Sequence, residues 1–146
     1  MASAPVDFER ETLREGLSRT PFEFRAPAFF AWLGVTPYLT AEALRKTLQD
    51  VAGNMTGGSE IVFDFAAPPT AEPQAIAARE SFAARVEAAG EPLRTTFVPE
   101  DLSGQLRSLG FSDAEVVDSD RLNARYFAGR QDRLRLHGGQ IMHARL

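Results

Sequence analysis

Apolar residues in this chain fall into runs whose spacing alternates between extended and helical periods. Ala28 to Leu33 is an unbroken apolar run ended by Gly34 and Pro37, which predicts a strand covered on both faces followed by a turn. Behind Thr40, Leu44, Leu48 and Val51 recur at helical spacing. Leu39 and Leu44 stand at hydrophobic-staple positions, so the pattern predicts a helix capped by Thr40 and ending near Gly53. Gly57-Gly58 then turns the chain into a second buried strand, Glu60 to Phe65, closed by Pro68-Pro69. Ala71 to Ala89, with Ile76, Phe82 and Val86, predicts an alanine-rich helix stopped by Gly90. Leu93 to Val98 is a short extended piece rich in β-formers. Pro99 opens a helix with Leu102, Leu106 and Leu109 on one face, and Gly110-Phe111 has the form of a Schellman cap.

The two ends are less regular. Ser3 to Val6 predicts a short strand limited by Pro5, which cannot donate to a ladder. Asp7 stands where a helix N-cap would, ahead of Leu13 and Leu17 on one face, in a helix that stops by Pro21. Ala114 to Val117 reads as a strand and Arg121 to Phe127 as a helical turn. Leu134 to Leu136 and Gln140 to Ala144 read as late strands, with a hairpin about His137-Gly138-Gly139. Strands alternating with helices predict an α/β fold with a largely parallel sheet and an antiparallel strand late in the chain. Residues 1–146 read as a single domain.

Composition narrows the function. At 146 residues, 44% hydrophobic and 25% charged, the chain can build a real core. Sixteen basic against twenty acidic residues leave a net charge of −4, which disfavours nucleic acid as a partner. The absence of cysteine excludes disulfides, thiolate catalysis and zinc–thiolate sites. No apolar stretch has the length of a membrane helix, and no secretory signal is visible, so the cytoplasm is the expected location.

Five segments, in order, resemble the S-adenosylmethionine-dependent O-methyltransferases of the leucine carboxyl methyltransferase type. Ala4-Pro5-Val6-Asp7-Phe8 is similar to the end of the family's third strand. Trp32 to Leu39 is similar to its fourth-strand turn, and Ser59 to Phe65 to its fifth strand. Leu106 to Phe111 is similar to the helix before its sixth strand, and Asn123 to Arg130 to a tract near its carboxyl end. The resemblance implies a truncated class I methyltransferase-like (Rossmann-like) sheet with helices on both faces. It also implies S-adenosyl-L-methionine as cofactor and a carboxylate or hydroxyl oxygen as methyl acceptor. By the same resemblance Asp7, Phe8, Trp32 and Leu33 are cofactor-binding, and Tyr38, Asp64, Asn123, Arg125 and Tyr126 are substrate-binding.

The departure from the family is as informative. No counterpart of its glycine-rich cofactor loop is present, and Gly57-Gly58 and Gly138-Gly139 precede strands. A nucleotide-cradling loop must instead follow a strand and open a helix. The expectation is therefore the carboxyl-terminal part of the fold, inactive alone, with any cofactor binding by this chain in doubt.

Plainer readings stand beside these roles. Asp7 is also a simple cap, and Trp32 a core aromatic. Asp64, a carboxylate in an apolar strand, needs either a polar crevice or a partner such as an arginine. Asn123, Arg125 and Tyr126 are also ordinary surface and packing residues. The Arg121, Arg125, Arg130, Arg133 and Arg135 tract reads as a solvated face, and His137 and His143 are weak evidence for a metal. Without the family's first strand, Phe29 to Leu33 becomes an apolar edge. Three things can cover it: Ser3 to Val6, a second copy as a homodimer, or a separately encoded amino-terminal half. Besides a truncated methyltransferase, the sequence admits a non-catalytic interaction module, or a small enzyme or binder using the crevice near Asp64.

Overall fold

The alternation of side chains along Glu60–Ala66 organises the molecule. In the computed structural model, which describes residues 2–68, 73–90, 92–132, 134–136 and 139–146, this strand is central. Ile61, Phe63 and Phe65 are buried on one face, and the residues between them are half-buried on the other. The elements run α1 (Leu13–Ser18), β1 (Phe29–Trp32), α2 (Ala41–Asn54), β2 (Glu60–Ala66), α3 (Pro73–Ala88), α4 (Pro99–Leu109), β3 (Asp113–Val117), α5 (Ser119–Leu122) and β4 (Gly139–Arg145). A 3-10 turn (Thr36–Tyr38) precedes α2, and a π turn (Asn123–Phe127) continues α5.

The sheet order is β1-β2-β4-β3. β1 runs parallel to β2, with Phe30 beside Ile61 and Trp32 beside Phe63. β4 runs antiparallel to both β2 and β3, so β1, β2 and β3 share one direction and the late strand opposes them, as the sequence predicts. The core lies where α2 (Leu44, Leu48, Val51) and α4 (Leu102, Leu106) meet Ile61, Phe63, Met142 and Ala144. Ala124 and Arg125 border a cavity with His143 and Glu115, residues that alternate away from buried Met142 and Ala144. The π turn therefore lies over the opposite face, and helical segments cover both.

Local signals work as expected at several ends. The Thr40 side chain accepts from the Ala43 N–H at the start of α2. Gly110 adopts φ 109°, and the Phe111 N–H donates to the Leu106 carbonyl, closing the Schellman cap. β3 and the helical turn after it lie where the sequence puts them.

Four expectations need correction. Ser3 to Val6 forms no strand and does not cover β1. Pro5 offers no N–H, its carbonyl accepts from the Arg19 guanidinium, and Val6 packs so closely on Gly16 that a Cβ there would lie 2.2 Å from it. The first helix starts at Leu13 rather than after Asp7, because Thr12 and Glu15 form a reciprocal capping box; Asp7 only opens the preceding turn. β1 is an edge strand and is not covered on both faces, since Phe29 is 65% and Leu33 54% exposed. Leu134 to Leu136 is irregular rather than a strand. The hairpin residues His137 and Gly138, and the first residues of the predicted third helix, lie outside the described residues.

Phe63 sits at the centre of this core, fully buried between Trp32 and Phe65. In urea unfolding, Phe63→Ala is expected to cost about 3–5 kcal/mol. Phe82→Ala on the exposed face of α3 should change stability by no more than about 0.5 kcal/mol.

Candidate functional site

The carboxyl ends of β1, β2 and β3 and the amino end of β4 converge on one edge of the molecule. In α/β sheets this is the end at which ligands bind. Two groups of the sequence-predicted residues reach it. Asp7, Phe8, Trp32, Leu33, Tyr38 and Asp64 gather around β1 and β2. Asn123, Arg125 and Tyr126 follow β3, three strand spacings or roughly 14 Å from β1.

In the first group, Phe8 packs on Trp32 with ring centroids 5.0 Å apart. Trp32 is 8% exposed, and its buried indole N–H has no hydrogen-bond partner among the described residues. An unpaired buried donor is costly, so this apolar wall carries one polar atom free to meet an acceptor. Asp7 accepts from the Glu9 N–H at 3.1 Å and lies 3.4 Å from the exposed Arg10 guanidinium. Leu33 points to solvent, and Tyr38 is half-buried in the 3-10 turn.

Among the described residues Asp64 pairs with no arginine and meets backbone instead. The Gly34 N–H donates to its carboxylate at 2.8 Å, and the hydroxyl of buried Thr36 donates to its backbone carbonyl. Gly34 has φ +72°, a conformation glycine adopts without strain. The carboxylate thus fixes the break between β1 and α2, and its other oxygen has no hydrogen-bond partner among the described residues.

Glu9 is a residue the sequence reading passed over. Its carboxylate accepts from both the Thr40 N–H (2.9 Å) and the Thr40 hydroxyl (3.0 Å). It therefore sits at the amino end of α2, the place where a helix would otherwise receive an anionic ligand. The Thr40 backbone N–H is the main cause holding the Glu9 carboxyl below its ordinary value of 4.5, and burial opposes it. No local pattern announces a contact across 31 residues.

On the far side, Asn123 is 7% exposed and clamps Leu136. Its Nδ2 donates to the Leu136 carbonyl (3.0 Å), and its Oδ1 accepts from the Leu136 N–H (2.8 Å). Arg125 stacks over Tyr126 at 5.5 Å, and Tyr126 is 63% exposed. Arg125 also borders a cavity of about 570 Å³ with Glu115, Val117, Arg121, Ala124 and His143. Beside that cavity the His143 Nε2 lies 2.7 Å from Glu60, which also pairs with Arg145 at 3.1 Å. The His143 hydrogen bond is the main reason the Glu60 carboxyl sits below its usual value.

A leucine carboxyl methyltransferase family model matches residues 1–52. Over 131 residues the chain is 28% identical to YktD of Bacillus subtilis (strain 168), named for S-adenosyl-L-methionine-dependent methyl transfer. The chain is thus similar to S-adenosylmethionine-dependent methyltransferases of this type. The match covers 89% of this chain and 43% of YktD, so the chain spans less than half of that relative. Solved structures agree on the fold. An Archaeoglobus fulgidus SAM-dependent methyltransferase superposes with TM-score 0.54 at 17% identity, over 90% of this chain and 64% of its own. Human N-acetylserotonin methyltransferase, in complex with SAM, does so with TM-score 0.52 at 11% identity, over 80% and 28%. S-adenosylmethionine is the cofactor that the names of these relatives carry.

The residues present fit that cofactor only in part. Phe8, Trp32 and Asp7 supply one wall with a donor and an acceptor. The helix N-terminus nearest to it is filled by Glu9, and Gly34, the positive-φ glycine between the end of β1 and α2, donates its N–H to Asp64.

Because the folded-state pKa of Glu9 is lowered, its contribution to stability is complete above the unfolded value of 4.5 and is lost as pH falls through the folded one. Glu9→Gln should therefore flatten the acid limb of a urea-midpoint-against-pH curve below about pH 4.5. Asp64→Ala should abolish hydrogen-exchange protection of the Gly34 amide while leaving the β2–β4 ladder protected.

Proposed function

We propose that this chain is the carboxyl-terminal part of an S-adenosylmethionine-dependent O-methyltransferase, one that moves a methyl group to a carboxylate or hydroxyl oxygen, and that it does not turn over alone. In this reading Asp7, Phe8, Trp32 and Leu33 border the adenosine side of the cofactor. Tyr38 and Asp64 border the acceptor from one side; Asn123, Arg125 and Tyr126 shape its far wall. The enzyme works in the cytoplasm on a small molecule or a free carboxylate. The donor-gripping remainder comes from a separately encoded amino-terminal half, or the chain settles as a homodimer.

The observation that carries the reading is the pairing of one aromatic wall at the ligand-binding end with an α2 N-terminus already filled by Glu9. Displacing a sulfonium methyl in line needs positioning and electrostatics around a fading positive charge rather than a nucleophilic side chain. A chain that lines only one side of the donor supplies neither. One structural feature favours a second reading, the non-catalytic interaction module: the uncovered apolar edge of β1.

The test is a methyl-transfer assay with the chain alone, and again after adding a polypeptide corresponding to the part of YktD that this chain does not span, with S-adenosylmethionine calorimetry in parallel. The expected result is no turnover alone and measurable turnover on complementation. Robust turnover by the chain alone would refute the truncated-enzyme reading, whereas assembly without turnover would favour the module.

A further inference from the structure

The turn from Asp7 to Glu11 closes on itself. The Asp7 carbonyl accepts from the N–H groups of Arg10 and Glu11, both at 2.9 Å. The Asp7 side chain accepts from the Glu9 N–H, and the Glu11 carboxylate accepts from the Asp7 N–H at 3.0 Å. Phe8 and Glu9 therefore move as one body. Side-chain ties run out from it in two directions: Glu11 pairs with Arg19 at the end of α1 (2.7 Å), and Glu9 reaches Thr40.

The segment that receives Glu9 is pinned from its other side. The Arg94 N–H donates to the Pro37 carbonyl at 2.8 Å, and the Thr95 hydroxyl donates to the Leu39 carbonyl at 2.9 Å. The Arg94 guanidinium lies 3.8 Å from the Glu9 carboxylate. The 3-10 turn carrying Tyr38 thus has a fixed place, and Glu9 binds the Asp7 to Glu11 turn to it.

We propose that Glu9 is a positioning residue: it seats Phe8 against Trp32 and ties that aromatic wall to the turn that carries Tyr38. Ring packing alone does not fix the wall. The Phe8 and Trp32 rings meet tilted at 49°, and aromatic pairs accept a range of offsets and tilts. One carboxylate accepting two hydrogen bonds from a single residue fixes direction as well as distance. Where rate comes from positioning, a displacement of about 1 Å costs on the order of a hundredfold. Glu9 therefore bears on the site without touching a reacting atom. What the wall faces, the adenosine side of the cofactor, rests on the preceding reading; the contacts that hold it do not.

Trp32 is the only tryptophan in the chain, so its fluorescence reports the wall directly and needs no cofactor. Glu9→Ala should shift Trp32 emission to the red and raise its quenching by acrylamide about twofold or more, because Phe8 then leaves the indole open to solvent. Glu9→Gln keeps one acceptor oxygen for the Thr40 N–H and should fall between the alanine variant and wild type. Glu42→Gln breaks the ion pair with Lys46 in the first turn of the same helix and should leave the emission unchanged. Far-UV circular dichroism reports folding; should the alanine variant fail to fold, the glutamine variant decides. Wild-type emission from the folded, deciding variant would overturn the proposal and leave Glu9 a helix cap alone. An equal shift from Glu42→Gln would overturn it too, as general loosening of the helix end. Silence in the complementation assay counts against the preceding reading instead, and leaves the Trp32 result standing.

Discussion

Everything in this molecule hangs on β2 being laddered on both sides. Its odd-numbered residues bond to β4 and its even-numbered ones to β1, while Ile61, Phe63 and Phe65 fill the core beneath. Because the side-chain period of a strand is two, that register fixes in one step which residues are buried, which line the opposite face, and where the ends of β1 and β3 project. Asp64 is the clearest case. Its place in β2 puts its carboxylate beside Gly34, and the turn into α2 is held there.

Much of this was legible along the sequence because the signals are local. Thr40, Gly110-Phe111 and the apolar periods of α2 and α4 act within one or two turns of helix, and the structure realises each of them. Ser3 to Val6 shows why the remainder was not. Its residues suit a strand, but a strand needs a partner, and Arg19 and Gly16 draw this segment onto α1 instead. The apolar run at β1 misled in another way. It reads as a strand covered on both faces, yet burial depends on what lies alongside, and Phe29 and Leu33 stay more than half exposed.

The site shows the same division. The Phe8–Trp32 contact joins two segments that the family resemblance names separately. Asn123 is legible as a polar residue in a helical turn, but its exchange of two hydrogen bonds with Leu136 is not. Glu9 carries no sequence signal for the role it plays, since its partner lies across the fold. The Glu60–His143–Arg145 group depends on the pairing of β2 with β4, which local pattern does not encode.

The guanidinium groups of Arg107 and Arg121 have a consequence for how far any association can run. A sheet with two bare edges can add copies head to tail without limit and grow into a fibre. With the β3 margin stoppered by arginine, Arg107 donating to the Ala114 carbonyl and Arg121 to that of Val116, any strand added at the other margin finds no second ladder to extend from, so growth stops there. Two arginine side chains, one from α4 and one from α5, thus separate a finite particle from an open-ended polymer.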